Sequence, residues 1–209
     1  MTQVQESVVF HKFANVSRET TQKLALYAEE LSKWQKSINL IGNNTLPNLW
    51  TRHFLDSAQL RQFLRKDRGR IVDVGSGAGF PGLVLSILGE DRIDLVERDK
   101  RKCAFLRAVV HRTGATAQVL SIDISEYVPT PALTITARAV AEIDSFLDLV
   151  THLIAPQSHI LLLKGSKVQH ELILAQKKRK LTARIHPSQA GRDGCVLEIE
   201  DIHHAPNSS

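Results

Sequence analysis

Apolar positions recur every three or four residues early in the chain, at Leu24, Tyr27, Leu31, Trp34 and Ile38. That is the stripe of an amphipathic helix. Ser17 stands where its N-cap belongs, and Glu19 in the first turn complements the dipole. Gly42-Asn43-Asn44 interrupts the pattern. Pro47, suited to a first helical turn, then opens an expected second helix carrying Trp50, Phe54, Ala58 and Phe63. At residue 71 the period changes. Ile71-Val72-Asp73-Val74 reads as a short buried strand running into glycines, residues 81–88 as an apolar helix closed by Gly89, and Ile93-Asp94-Leu95-Val96-Glu97 as a second strand. Asp99 caps an expected helix to Thr113, with Ala104, Leu106, Val109 and Val110 as apolar positions and Gly114 at its end. Further strands are expected at 117–121, 133–137, 159–163, 181–185 and 195–200, and further helices over 142–154 and 167–178.

Strand and helix alternating from residue 71 onward predict an α/β domain, a seven-stranded and mostly parallel sheet with helices on both faces. The last two strands, separated by residues 187–194, suit an antiparallel hairpin. The chain thus divides into a helical extension over 1–66, a sheet domain over 67–202 and a polar tail over 203–209 that is expected to fray.

Composition narrows the class. Hydrophobic residues make up 43% and charged residues 23% of 209 positions, an ordinary globular balance. The two cysteines, Cys103 and Cys195, show no CxxC spacing, which argues against a disulfide scaffold or a cysteine zinc site. His203-His204 lacks a third ligand nearby, so no metal is expected. No apolar run approaches the ~18–20 residues of a membrane span, and the opening MTQVQESVVFHK has no secretory pattern. A cytoplasmic protein without membrane contact is the expectation. The net charge of +5 is uneven: +5 over residues 1–70, −3 over 71–150 and +3 over 151–209. Basic flanks around an acidic centre suit a polyanionic partner, where each neutralised phosphate releases counterions. Ordinary surface solvation is the alternative. The runs 61–70 and Lys177-Lys178-Arg179-Lys180 are the best local support for the first reading.

The densest signal is Val72-Asp73-Val74-Gly75-Ser76-Gly77-Ala78-Gly79-Phe80-Pro81-Gly82, between a predicted strand and a predicted helix. Glycines there admit positive φ and let a ligand lie against the backbone, and the helix start offers unpaired N–H groups. Glu97, 22 residues after Gly75, is placed to accept hydrogen bonds from ribose hydroxyls. Two registers compete. Gly77-x-Gly79-x-x-Gly82 satisfies a dinucleotide fingerprint; Asp73 followed by Gly75-x-Gly77-x-Gly79 is the pattern of S-adenosylmethionine sites. Pro81 removes a backbone donor that a pyrophosphate would need and so favours the second register, with a nicotinamide dinucleotide as the alternative.

Several strings then occur in order: Asn39-Leu40, Trp50-Thr51-Arg52-His53-Phe54-Leu55-Asp56-Ser57, the glycine turn 73–82, Ala104-Phe105-Leu106-Arg107, Arg138-Ala139-Val140 and Lys164-Gly165. Together they resemble the bacterial ribosomal RNA small-subunit methyltransferase G family, also called glucose-inhibited division protein B, over residues ~35–165. The resemblance implies a Rossmann-like class I methyltransferase fold. It also implies an enzyme that methylates one guanine N7 in 16S ribosomal RNA with S-adenosyl-L-methionine, its partner being that RNA or the small ribosomal subunit. Cofactor contacts are implied at Gly75, Phe80, Glu97, Ile124-Ser125 and Arg138, with Asp73, Ser76, Gly77 and Gly79 completing the turn. Departures are Glu97 where the family commonly has Asp, Ala137 for a frequent Ser, and Pro156-Gln157-Ser158 for a Pro-Gly-Gly turn.

Guanine N7 carries an in-plane lone pair and no proton, so its methylation needs alignment rather than a general base. This matches a sequence without an obvious catalytic dyad. Arg138 and Lys164, each at the carboxyl end of an expected strand, are the catalytic candidates. Arg52, His53 and Asp56 share one expected helix, with Arg52 and Asp56 on one face; with Asn39, Lys100, Arg101 and Lys164 they are the candidates for RNA contact. Three cations at the helix start 100–102 oppose the macrodipole and hint at an anionic partner. Trp34 and Trp50 are expected in the core. Competing functions are a non-catalytic RNA-binding protein on the same fold and a methyltransferase for a small molecule or protein. A monomer is expected.

Overall fold

The computed structural model describes residues 8, 10–11, 14–65, 69–128, 134–191 and 193–204, the last two by their backbone alone. Helix α1 (Arg18–Trp34) begins at Ser17, whose hydroxyl accepts the Thr20 N–H at 3.1 Å, and buries Leu24, Tyr27 and Leu31. It ends short of Ile38 because the Gln35 side chain takes over the chain. The Gln35 carbonyl oxygen accepts the N–H groups of Leu40 and Ile41 at 3.0 and 3.1 Å, and its amide donates to the Ile41 carbonyl at 2.8 Å. Ile38 therefore packs against the core from a loop.

The single helix expected from Pro47 is instead a relay of short turns: 3-10 over Asn43–Asn48, π over Trp50–Leu55, one α turn at Asp56–Ala58 and 3-10 over Gln59–Phe63. Residues 53–55 and 57–60 are buried. Such long buried runs cannot share one face at 3.6 residues per turn, and the wider and tighter turns let them all reach the interior. Trp50 and Phe54 meet edge-on with centroids 5.0 Å apart.

The sheet has seven strands: β1 (Ile71–Val74), β2 (Ile93–Val96), β3 (Gln118–Leu120), β4 (Thr134–Arg138), β5 (His159–Lys164), β6 (Arg179–Pro187) and β7 (Cys195–His204). Their spatial order is β3-β2-β1-β4-β5-β7-β6, the first five parallel and β7 antiparallel to both neighbours. The predicted hairpin is present. Of the tail expected over 203–209, His203 and His204 pair with Lys180 and Arg179 in the ladder; residues 205–209 lie outside the described residues. Among the described residues, four α-helices cross between strands: α2 (Gly82–Ile87), α3 (Lys100–Thr113), α4 (Ile143–Leu149) and α5 (Val168–Gln176). Helix α3 has its predicted ends, with Asp99 accepting the N–H groups of Arg101 and Lys102 and Gly114 at φ +65°. Its buried positions include Cys103 and Phe105, whereas Ala104 is exposed. Helix α4 stops before Ile154. The Thr151 hydroxyl donates to the Leu147 carbonyl at 2.7 Å, a local alternative to the helical ladder, and Pro156 disfavours helix at the residue before it.

Two apolar layers sandwich the sheet. One joins α1, the 49–60 turns, α2 and α3 to Leu161 and Val196; the other joins α4 and α5 to Val72, Ile135 and Leu197. The helical segment before the sheet is thus continuous with its core. Among the described residues of the basic runs, five cations are paired within the protein. Arg61 pairs with Glu90 at 2.9 Å, Arg65 with Glu200 at 2.6 Å and Arg70 with Asp94 at 2.8 Å. Lys178 and Arg179 both pair with Asp144, at 2.6 and 3.2 Å, and Arg179 also with Asp148. Both runs sit where β1 and β6 begin, opposite the end where β1, β4 and β5 deliver the glycine turn, Arg138 and Lys164.

Candidate active site

The turn after β1 holds Gly75, Gly77 and Gly79 at φ +64°, +55° and +90°, a backbone region that L side chains avoid. A Cβ on Gly79 would stand 2.6 Å from Tyr27 Oη and 2.9 Å from Leu83 Cβ. A Cβ on Gly77 would meet only the Gly75 carbonyl, at 3.7 Å, so the turn is open above that residue. Asp73 lies fully buried beneath the turn, accepting the Thr136 hydroxyl at 2.7 Å. Burial pushes its carboxyl up to about 6, against the pull of Thr136, Ser76 and the Gly82 N–H. It supports the turn from below. The Ser76 hydroxyl does the same, donating to the Asp73 carbonyl at 2.9 Å.

Glu97 directly follows β2 and binds the turn. One carboxylate oxygen accepts the Gly77 N–H and the other the Asp99 N–H, both at 2.8 Å. Gly75 and Glu97 line a cavity of about 340 Å³ together with Asp123, Ile124, Val140 and Leu149. Its walls combine apolar side chains with the Glu97 carboxylate beside Gly75, which suits an adenosine bearing ribose hydroxyls. Ile124 faces the cavity, whereas Ser125 is exposed beside it, its N–H and hydroxyl bonded to Asp123 at 3.1 and 2.9 Å. Asp123 and Val140, which the sequence reading did not single out, stand in the wall.

Phe80 does not enter this cavity. It is buried, stacked on Tyr27 at 5.5 Å and 16° and against His53 at 4.8 Å, with the Arg138 guanidinium 5.8 Å above its ring. Tyr27, on α1, also donates its hydroxyl to the Ala78 carbonyl inside the turn; burial drives that phenol well above its usual range. Nothing in the stripe pattern distinguishes Tyr27 from Leu24 or Leu31. His53, expected to contact RNA, is buried behind Phe80, with Nε2 at 2.8 Å from Thr45 Oγ1. Burial, reinforced by Arg138 and Arg52, lowers its pKa to about 3.

A second cavity, about 500 Å³, opens beside the first and shares Ala139 with it. Arg52, Asp56, Arg138, Lys164 and Lys167 line it, with Ser188 and Asp193 from the β6–β7 loop. Arg138 belongs here rather than to the first cavity. Asp56 is not paired with Arg52 on its own turn; its Oδ2 faces Arg138 Nη1 at 3.7 Å. Its Oδ1 accepts the Ser188 hydroxyl at 2.9 Å and the Gln59 amide at 2.8 Å, which pins the β6–β7 loop to the 56–59 turn. Burial raises the Asp56 pKa, with Arg138 and Ser188 opposing, and burial lowers that of Arg138. Lys164 is tied down, with Nζ 2.6 Å from Glu171 and donating to the Ala141 carbonyl at 2.9 Å. Glu171 also accepts the Ile143 N–H at 3.2 Å, so this pair clamps the segment after β4. Arg52 is exposed at the cavity wall. Asn39 and Lys100 are exposed outside both cavities, and Arg101 donates to the Ser37 carbonyl at 2.7 Å, joining the Asn39 loop to α3.

A doubly wound sheet of this order, with a glycine turn after β1 and an acidic residue directly after β2, is the fold of the class I S-adenosylmethionine-dependent methyltransferases. Solved structures share it. A mutant of MtNAS in complex with S-adenosylmethionine superposes with a TM-score of 0.61 at 17% identity, covering 87% of this chain and 73% of that one. The glycopeptide N-methyltransferase MtfA, complexed with the same ligand, gives 0.55 at 11%, covering 71% and 93%. The chain belongs to the rRNA small subunit methyltransferase G family, which it matches over residues 20–190. It is 43% identical to the ribosomal RNA small subunit methyltransferase G of Paramagnetospirillum magneticum over 90% of this chain and 92% of that protein. Its identity to the protein of the same description from Parvibaculum lavamentivorans is 42%, over 96% and 92%.

Proposed function

We propose that this chain transfers a methyl group from S-adenosylmethionine to N7 of a guanine in 16S ribosomal RNA, as a cytoplasmic monomer acting on that RNA or on the small subunit. The observation that carries the reading is the pair of adjoining cavities that share Ala139. One is built for an adenosine, with Gly75, Glu97 and Ile124, and the other is lined by Arg52, Arg138, Lys164 and Lys167. Bound S-adenosylmethionine supplies an electrophilic methyl on its sulfonium. The chain's own part is alignment, because the nucleophile needs no deprotonation. Glu97 and the open backbone at Gly77 hold the cofactor, while Asp73, Ser76, Gly79 and Phe80 keep the turn in shape. Arg52 and Lys167 meet phosphate, Arg138 faces the base, and Lys164 acts through Glu171 on the segment shared by both cavities. Carboxylate near the base offsets the positive charge that develops on the purine.

The test is methyl transfer to small subunits from a strain lacking this protein, read by nucleoside mass spectrometry. New 7-methylguanosine is the expected product. A different methylated nucleoside would overturn the substrate assignment.

A further inference from the structure

Gln59 is an amide among apolar neighbours. It is 3% exposed, between the buried Ala58 and Leu60, and both of its polar atoms are engaged. The amide nitrogen donates to the Asp56 carbonyl at 3.0 Å, to Asp56 Oδ1 at 2.8 Å and to Ser188 Oγ at 3.0 Å. The amide oxygen accepts the Gln189 N–H at 3.0 Å. Ser188 is used up in turn, its hydroxyl donating to Asp56 Oδ1 at 2.9 Å and accepting the Ala190 N–H at 3.0 Å. A buried turn does not call for an amide, because an apolar side chain fills the same place without a polar group to satisfy. What the amide reaches is the β6–β7 loop, 129 residues further along the chain.

That loop sits where outside support matters. It joins β7 to β6 at the edge of the sheet, and its base is closed by the Ser188 N–H on the Gly194 carbonyl at 3.0 Å. A Cβ on Gly191 would meet nothing within 4 Å among the described residues, so the tip is not packed down. Yet Ser188, Ala190, Gly191, Asp193 and Gly194 all line the second cavity, alongside Gly165 and Lys167 of the β5–α5 connection. We infer that Gln59 is a positioning residue for the RNA: by holding Ser188 and Gln189 it keeps the β6–β7 loop in the position that leaves the second cavity open to the substrate. Gln59 lines neither that cavity nor the cofactor cavity, so it acts through the loop alone. Once released, the loop spends part of its time in other positions, and the apparent affinity for RNA falls with the competent fraction. Chemistry in the bound complex is unaffected, because bound RNA restores the loop. The cofactor cavity shares no residue with the loop, so its affinity is kept. This inference rests on the second cavity receiving the RNA.

The experiment uses the full-length protein, with small subunits from a strain lacking it as substrate. Gln59→Leu removes the four bonds at nearly constant volume. Its KM for small subunits is expected to rise roughly 10-fold with kcat within about 2-fold of the parent. The calorimetric Kd for S-adenosylmethionine is expected to stay within about 2-fold, and exchange of the Gln189 amide to quicken by roughly 10-fold. Ser188→Ala cuts the same link from the loop side and keeps the Gln189 bond, so a KM rise of about 3-fold is expected. The double variant should match Gln59→Leu within about 2-fold rather than multiply the two effects. A residue that served stability alone would lower the melting point of Gln59→Leu and leave KM where it was. KM unchanged in Gln59→Leu overturns the inference, as does a loss confined to kcat or to the cofactor Kd, or effects that multiply in the double variant. Should Gln59→Leu not fold, an unchanged KM in Ser188→Ala overturns it equally. If the parent protein yields no 7-methylguanosine on small subunits, the proposed function has failed, which is a separate result.

Discussion

His53 offers the sharpest test of how the interior under the cofactor turn is built. Its ring is 5% exposed, packed on Phe80 at 4.8 Å, and its pKa falls from 6.5 to about 3. A group whose pKa is lower in the folded chain binds fewer protons there than in the unfolded chain, so stability falls as pH falls. The contribution is fully present above about pH 6.5 and is lost on the way down towards pH 3. At pH 5 the unfolded histidine is mostly protonated and the folded one is not, which costs about 2 kcal/mol. His53→Gln keeps a donor near Thr45 and removes the titration. Urea melts at pH 8 and pH 5 should therefore show the parent losing about 2 kcal/mol more than the variant, or ~4–8 °C in Tm for a domain of this size. Asp73 shifts stability in the opposite direction over the same range, but it does so in both proteins and cancels in the difference. Equal pH dependence of parent and variant, within about 0.5 kcal/mol, would refute the burial argument.

Three further outcomes are expected. Gly79→Ala places a Cβ 2.6 Å from Tyr27 Oη on a backbone at φ +90°; denaturant melts should show a loss of about 1–3 kcal/mol, and calorimetry a weaker hold on S-adenosylmethionine. Asp73, raised to about 6, carries stability that is present below pH 4 and lost as pH rises through 6, so the stability of Asp73→Asn relative to the parent should increase by up to about 3 kcal/mol between pH 4 and pH 7.5. Arg52→Ala should lower the slope of log affinity for small subunits against log salt by about one, while Lys177→Ala and Lys180→Ala, at the far end of the sheet, should leave it unchanged.

The apolar pattern made central strands legible as short runs, such as Ile71–Val74 before Gly75 and His159–Lys164 before Gly165. It failed where burial is not periodic. Between Trp50 and Leu60 runs of consecutive residues face the core, and no fixed helical period encodes such a segment. The glycine turn and Glu97 were readable because their chemistry depends on local spacing. The Asp56–Ser188–Gln59 junction was not, since its partners lie about 130 residues apart and Ser188 sits in a loop without a motif. The ion pairs of the basic runs were illegible for the converse reason. Their local charge density was plain in the sequence, but the carboxylates at Glu90, Asp94, Asp144 and Glu200 that answer it are remote or lie on other elements.

The contact between Tyr27 and the Ala78 carbonyl has a practical corollary. A truncation made at residue 66, to isolate the sheet as a minimal catalytic unit, would strip away the stacked ring beneath Phe80 and expose the underside of the cofactor loop to water. Efforts to shorten the enzyme, or to swap its front segment for that of a distant relative, should keep the aromatic on α1 paired with the loop it evolved against.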